Sequence, residues 1–400
     1  MSTAEIDDVE SQDSLSPAEK ASPLRQVIHY AYKGALIGFF FGFLLEKANV
    51  YVPDTLVDQF RFGDQTMLKV FLAANAVTLL LVRLFPQDQR SCRTVRVPLL
   101  QRILPASVAH VLGTVLGTFI LGVGMAVSGA CPGTVLVQLG AGLESAWWTL
   151  LGALLGVLVH MLLTQHLVEV SELCDVQSLS HLLGYNEGES RRKWAGPTTL
   201  ALVFGVTLLG ASGALELIFP FRDDVKERFP HVADPKTTTL DPTSLAWIPM
   251  LVGVLLGLLQ LPALMSANKM LGASSSYQTV VALAVRAVPS RALHESSSVA
   301  PLLKGLKPGA AFQLFLAVFA VLGGALSANL SDEAPVVTEL SRARSILGGM
   351  LLLIGARMAG GCTSGHGISG AGTQSLSSWL AIMSMFAGAI VTTAIIDAVH

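Results

Sequence analysis

Two cysteines stand in matching surroundings, and they are the residues best placed to do chemistry. Cys362 lies in Gly355–Gly372, GARMAGGCTSGHGISGAG, and Cys131 lies in Gly122–Gly142, GVGMAVSGACPGTVLVQLGAG. In each copy an apolar run ends in small residues, the cysteine follows, a Gly-rich turn comes next, and the segment closes on Gly-Ala-Gly. A thiol is a weak donor and a weak acceptor. It is a poor ligand for phosphate or sulfate beside an arginine or a nest of backbone N–H groups, and a better match for a soft, polarizable sulfur. Pro132, Gly133 and Thr134 follow one cysteine; Thr363, Ser364, Gly365 and His366 follow the other. Each group is placed to start a short helix, whose free N–H groups and partial positive charge favour an anion. Pro132 suits a first helical turn, where its missing N–H is no loss. The competing reading is that the glycines serve packing alone. Two matching copies, with the cysteine at the same point, weigh against it.

Other polar residues carry weaker signals. Arg357 precedes Cys362 by five positions. A charge inside a membrane is costly and marks function by default, although snorkelling to the interface is the alternative. His366 either donates to an anion or caps the short helix. Gln138 and Glu144 read as capping or interfacial residues. Glu46, Asn49, Asn268 and Lys269 read as polar residues at span ends. Cys92 and Cys174 fall in polar connections and read as unremarkable thiols. The four cysteines show no metal-ligand spacing and no CxxC. There is no P-loop and no GxGxxG after a strand. No metal, cofactor or nucleic-acid partner is expected.

The elements that must position these residues are apolar helices. The chain of 400 residues is 52% hydrophobic and 14% charged, with a mean hydropathy of +0.59. Soluble domains carry about 25% charged residues. A helix crosses a hydrocarbon core of about 30 Å in roughly 20 residues. The pattern predicts an all-α integral membrane protein with about nine transmembrane helices, near 28–46, 66–85, 105–128, 145–168, 197–218, 245–262, 309–329, 343–360 and 376–398. Two stretches, 133–142 and 364–372, are too short to span and read as re-entrant half-helices. Gly34, Gly38 and Gly42 share one helix face, a close-packing seam. Pro53 breaks an amphipathic stretch at 47–65. A polar run, Gly272–Tyr277, precedes another short apolar piece.

Organisation follows from the connections. Residues 1–25 are acidic and read as a disordered tail. Arg90, Arg93, Arg96 and Arg102, then Arg191, Arg192 and Lys193, then Arg286, Arg291, Lys304 and Lys307 mark loops on the cytoplasmic side. The N-terminus is then cytoplasmic, and the expected location is the plasma membrane. Residues 26–168 form a first half and 245–400 a second. The linker, 169–244, contains one helix, so the second half enters inverted. The two cysteine loops then approach the midplane from opposite faces, as in transporters built from broken helices. On this reading the chain is a membrane permease rather than an enzyme. A membrane thiol-exchange sulfur carrier, an anion channel and a selenium-compound permease are the alternatives.

At these residues the chain resembles the YeeE/YedE family of sulfur-compound transporters. GARMAGGCTSGHGISG at 355–370 is close to that family's signature, and SGACPGT at 128–134 looks like its first-half counterpart. The resemblance implies an hourglass-like membrane fold with short helices dipping in from both faces. It implies thiosulfate, or a related sulfur anion, as substrate, contacted by Cys131 and Cys362, with the lipid bilayer around it. A soluble sulfur-carrier partner is not specified. Family members often carry a third cysteine after the first helix; here Tyr51 lies near that place.

Overall fold

The structure, a computed structural model, describes residues 22–84, 106–164, 195–233, 237, 240–267, 272–289, 303, 309–331, 333–338, 340–372 and 375–399. A first set of helices comprises α1 (Pro23–Lys47), α2 (Pro53–Phe60), α3 (Thr66–Leu84), α4 (Ala106–Ser128), α5 (Thr134–Gly140) and α6 (Glu144–Thr164). Next come α7 (Ala195–Ile218) and α8 (Phe221–Arg228). A second set comprises α9 (Pro249–Leu258), α10 (Gln260–Ala267), α11 (Ser274–Ala287), α12 (Ala310–Leu330), α13 (Arg342–Met358), a π-helical segment (Thr363–Gly370) and α14 (Leu376–Val399). Among the described residues every such element is a helix.

The outside is apolar and the inside partly polar. Val203, Val206, Leu217 and Ile218 on α7, and Met383, Val391 and Ile395 on α14, are exposed. Thr118, Gln138, Gln260 and Ser378 are buried. This reverses the pattern of a water-soluble protein. In lipid it is the stable arrangement, because each helix satisfies its own backbone. The protein is an all-α, multi-pass membrane protein.

The expected count of nine spans is not met by uninterrupted helices. Among the described residues, 6 helices are long and apolar enough to cross, and up to 7 if α13 and the π-helical segment, bent by 45°, form one span. All nine expected stretches contain helix, but α3 and the α9–α10 pair are shorter apolar pieces. α3 carries Lys69 and Asn75. α9 gives way to α10 at Leu259, because Pro262 has no N–H to offer the Leu258 carbonyl. Residues 23–25, expected in the tail, are helical: α1 starts at Pro23, with proline in the first turn. Residues 1–21, Cys92, Cys174, Asn268, Lys269 and the loop cations except Arg286 lie outside the described residues.

Glycine contacts fix how the two sets pack. Gly34, Gly38 and Gly42 of α1 lie against Phe312, Leu316 and Ala320 of α12, so these helices run parallel. Gly253 and Gly257 of α9 lie against Val70 and Ala74 of α3, again in parallel. Gly152 and Gly156 of α6 meet Ile346 and Met350 of α13. Gly388 of α14 meets Phe119 of α4, and one turn earlier Ser384 donates to the Val115 carbonyl at 2.6 Å. Exchanging the sets turns the α1–α12 pair into the α9–α3 pair, and the α6–α13 pair into the α14–α4 pair. α4 and α13 exchange with each other. They run antiparallel, Gly117 against Gly355 and Gly124 against Leu352. Chain direction is therefore reversed between the sets at their shared contact. Small residues make this possible, since without a water-driven force between helices close backbone approach supplies the contact.

Candidate functional site

Each cysteine follows a helix that is stopped by a left-handed glycine. α4 ends at Ser128, and Gly129 has φ 59°; α13 ends at Met358, and Gly360 has φ 68°. Glycine adopts this conformation without a Cβ penalty, which makes it a common helix terminator. The Gly129 N–H donates to the Met125 carbonyl at 2.9 Å, and the Gly361 N–H to the Ala356 carbonyl at 3.0 Å. Cys131 and Cys362 each lie two residues beyond the left-handed glycine.

The next turn is built the same way twice. The Val135 N–H donates to the Cys131 carbonyl at 3.0 Å, and the His366 N–H to the Cys362 carbonyl at 2.8 Å. The Thr134 N–H donates to Cys131 Sγ at 3.3 Å. The Gly365 N–H, at the same offset, reaches Cys362 Sγ. Each sulfur thus sits at the start of a half-helix with a backbone donor aimed at it. Thr134 Oγ1 also accepts the Cys131 N–H at 2.7 Å. Ser364 Oγ lies 3.3 Å from Cys362 Sγ. Both cysteines are free thiols and both are buried. The first half-helix is α-helical, as expected; the second, expected over 364–372, is a wider π-helical turn.

A third helix start joins the two breaks. Ser274, first residue of α11, bonds to Cys362 Sγ. The Ala273 N–H reaches Ser364 Oγ at 3.4 Å. One turn on, the Tyr277 hydroxyl donates to the Pro132 carbonyl at 2.7 Å. Arg357 donates to Gln278 of the same helix. The first turn and a half of α11 therefore touches both cysteine breaks.

Some expected site residues point elsewhere. His366 has Nε2 at 3.1 Å from the Ala359 carbonyl and Nδ1 at 3.4 Å from Ser378 Oγ. It braces the break from behind. Gln138 is neither a cap nor interfacial: it is buried, and its amide donates to the carbonyls of Tyr51 at 2.8 Å and Gly129 at 3.1 Å. Gln260 reaches Ser369 Oγ at 3.0 Å on the other side. Glu46 and Asn49, expected at the interface, are buried as well; Glu46 bonds Ser327, and Asn49 donates to the Leu245 carbonyl. Glu144 is exposed and faces Arg342. Thr363 Oγ1 is buried without a partner and lines a small cavity with Gln59, Met67, Phe71, Met125 and Met385. Among the described residues no His, Cys, Asp and Glu group could hold a metal.

Sequence reasoning missed Ser274, Tyr277 and Gln278. The available signal was the run Gly272–Tyr277, small and polar like the cysteine breaks but lacking a cysteine.

A family model described as sulphur transport matches residues 47–391. The chain belongs to this sulphur transport family. It is the family that the cysteine motifs resemble. A thiosulfate transporter of Spirochaeta thermophila is 24% identical over 356 residues, covering 88% of this chain and 94% of its own. A thiosulfate transporter of Escherichia coli is 23% identical over 373 residues, covering 89% of this chain and 91% of its own. The breaks with their buried thiols, Cys131 and Cys362, both lie inside the family match.

Proposed function

We propose that the chain is a permease that takes up thiosulfate or a closely related sulfur anion. The observation that carries this reading is the paired construction of the breaks: each presents a buried thiol at a half-helix start, and α11 ties them together. A soft terminal sulfur suits the thiols, and the anionic oxygens suit the N–H groups and positive ends of the short helices. Pro132, Gly133 and Thr134 on one side, and Thr363, Ser364 and Gly365 on the other, shape the waist. Arg357 and His366 hold it from outside. The ion passes between Cys131 and Cys362 without covalent change, so the protein carries out transport and no reaction.

The two sets form inverted halves, 26–168 and 245–400, joined through 169–244. The reversed packing of α4 and α13 supports this. Each break then opens toward a different water phase, giving an hourglass with its waist at the sulfurs. The basic loops support a cytoplasmic N-terminus, in the plasma membrane.

Growth on thiosulfate as sole sulfur source, in cells lacking their own uptake, tests this. The wild-type chain is expected to restore growth, and Cys131→Ala and Cys362→Ala to abolish it. Undiminished growth with both variants removes the thiols from the mechanism. A stable mass gain of one sulfur on either cysteine after thiosulfate exposure would replace passage by thiol exchange.

A further inference from the structure

We propose that Tyr277 is a substrate contact and the switch of the passage. Its hydroxyl, donated to the Pro132 carbonyl when no ion is present, turns to the anion as it crosses between Cys131 and Cys362. This rests on the two-thiol reading above.

Some of the donors at the waist are already engaged. An anion offers only acceptors, so it must be met by donors. Two of the N–H groups at the half-helix starts, those of Thr134 and Gly365, already point at the sulfurs. A thiol is a weak donor. A phenol is a stronger one, and the buried Tyr277 phenol sits beside the first break, on the carbonyl of the residue directly after Cys131. Its proton goes to a neutral carbonyl, Pro132 O. A charged acceptor outcompetes a neutral one, because charge-assisted hydrogen bonds are roughly twice as strong. The exchange breaks no covalent bond: the proton stays on the phenol oxygen and only its acceptor changes.

The exchange also has a mechanical consequence. α11 is fixed to the second break through Ser274 on Cys362, the Ala273 N–H on Ser364, and Gln278 on Arg357. The Tyr277 hydroxyl holds the residue directly after Cys131. Turning that hydroxyl to the ion unties the first break from the second. An ion at the waist thereby loosens the first break, and an empty waist is latched. Ser276 Oγ, buried without a partner in the same turn, is a further hydroxyl available beside the latch.

The test is uptake of labelled thiosulfate into vesicles by the full chain and by Tyr277→Phe, which removes only the hydroxyl. The half-saturation concentration is expected to rise about tenfold or more, the range for losing one hydrogen bond to a charged group. The melting temperature without thiosulfate is expected to fall as well, because the buried Pro132 carbonyl loses its donor. Unchanged half-saturation overturns the proposal, whether or not the melting temperature falls, since a mere brace would affect stability alone. A second measurement does not depend on how the variant folds. With 3-fluorotyrosine placed at position 277, thiosulfate is expected to shift the fluorine resonance, and no shift overturns the proposal. Cys131→Ala and Cys362→Ala run in parallel. If they abolish uptake while Tyr277→Phe matches wild type, only the tyrosine switch fails. If they leave uptake intact, the two-thiol reading fails first.

Discussion

Gln138 donates its side-chain amide to the Tyr51 carbonyl at 2.8 Å, 87 residues away in the chain. The same nitrogen donates to the Gly129 carbonyl at 3.1 Å. One buried amide thus joins the bend after α1 to the break that carries Cys131. The bond thus ties Tyr51 to the first cysteine loop.

Removing the amide tests that tie. Gln138→Leu leaves two buried carbonyls without this donor. Each unsatisfied group costs about 1–3 kcal/mol. A clear fall in the melting temperature of the detergent-solubilised protein is expected, with Gln138→Glu also destabilised because a carboxylate cannot donate. A Gln138→Leu protein as stable as wild type would show that the bond contributes little.

Glycines at the helix contacts should differ sharply from glycines facing outward. A Cβ at Gly124 would lie 2.5 Å from the Leu352 backbone nitrogen, whereas nothing lies within 4 Å of one at Gly213. Gly124→Val should therefore force α4 away from α13 and collapse the yield of folded protein. Gly213→Val should leave yield and uptake near wild type. Size-exclusion profiles of the two variants in detergent decide the matter, and equal profiles would contradict the packing described here.

An ionic cluster centred on Asp224, which lies on α8 outside the membrane-spanning helices, should make stability depend on pH. On α8, burial and the neighbouring Asp64 push Asp224 up to about 7 from 3.8, against Arg228 and Lys69. Arg228 pairs with Asp64, Lys69 with Glu216 at 2.7 Å, and Asp224 lies 3.9 Å from Lys69. The folded state then holds a proton on Asp224 that the unfolded state has released. This contribution to stability is complete below about pH 3.8 and is lost as pH rises through about 7. Asp224→Asn, which keeps the neutral form, should flatten the fall in melting temperature across that window. An unchanged pH profile in the variant would place the titration elsewhere.

Both cysteine breaks were readable in the sequence because their signals are local. A helix end, a left-handed glycine and a following cysteine lie within a few positions, at 128–131 and again at 358–362. Helix existence was readable for the same reason, since each apolar run reports its own burial in lipid. What was not readable depends on distant partners. Gln138 and Gln260 look alike to any interfacial glutamine until the carbonyls and hydroxyls they reach are known. Glu46 and Asn49 look like span-end polar residues, yet neighbours from α12 and the segment before α9 bury them. Tyr277 carries no cysteine beside it, so its link to Pro132 emerges only when α11 folds back between the two sets. The span count failed where a single residue changes a helix, as Pro262 does between α9 and α10.

The central claim is that the two thiols, one on each break, form the waist through which the anion passes. Uptake of labelled thiosulfate into vesicles measures it most directly, comparing wild type with Cys131→Ala, Cys362→Ala and the double variant at equal amounts of folded protein. The account predicts that each single variant loses most of the uptake and that the double variant loses no more than the worse single one. Uptake at wild-type rate in either single variant would contradict it.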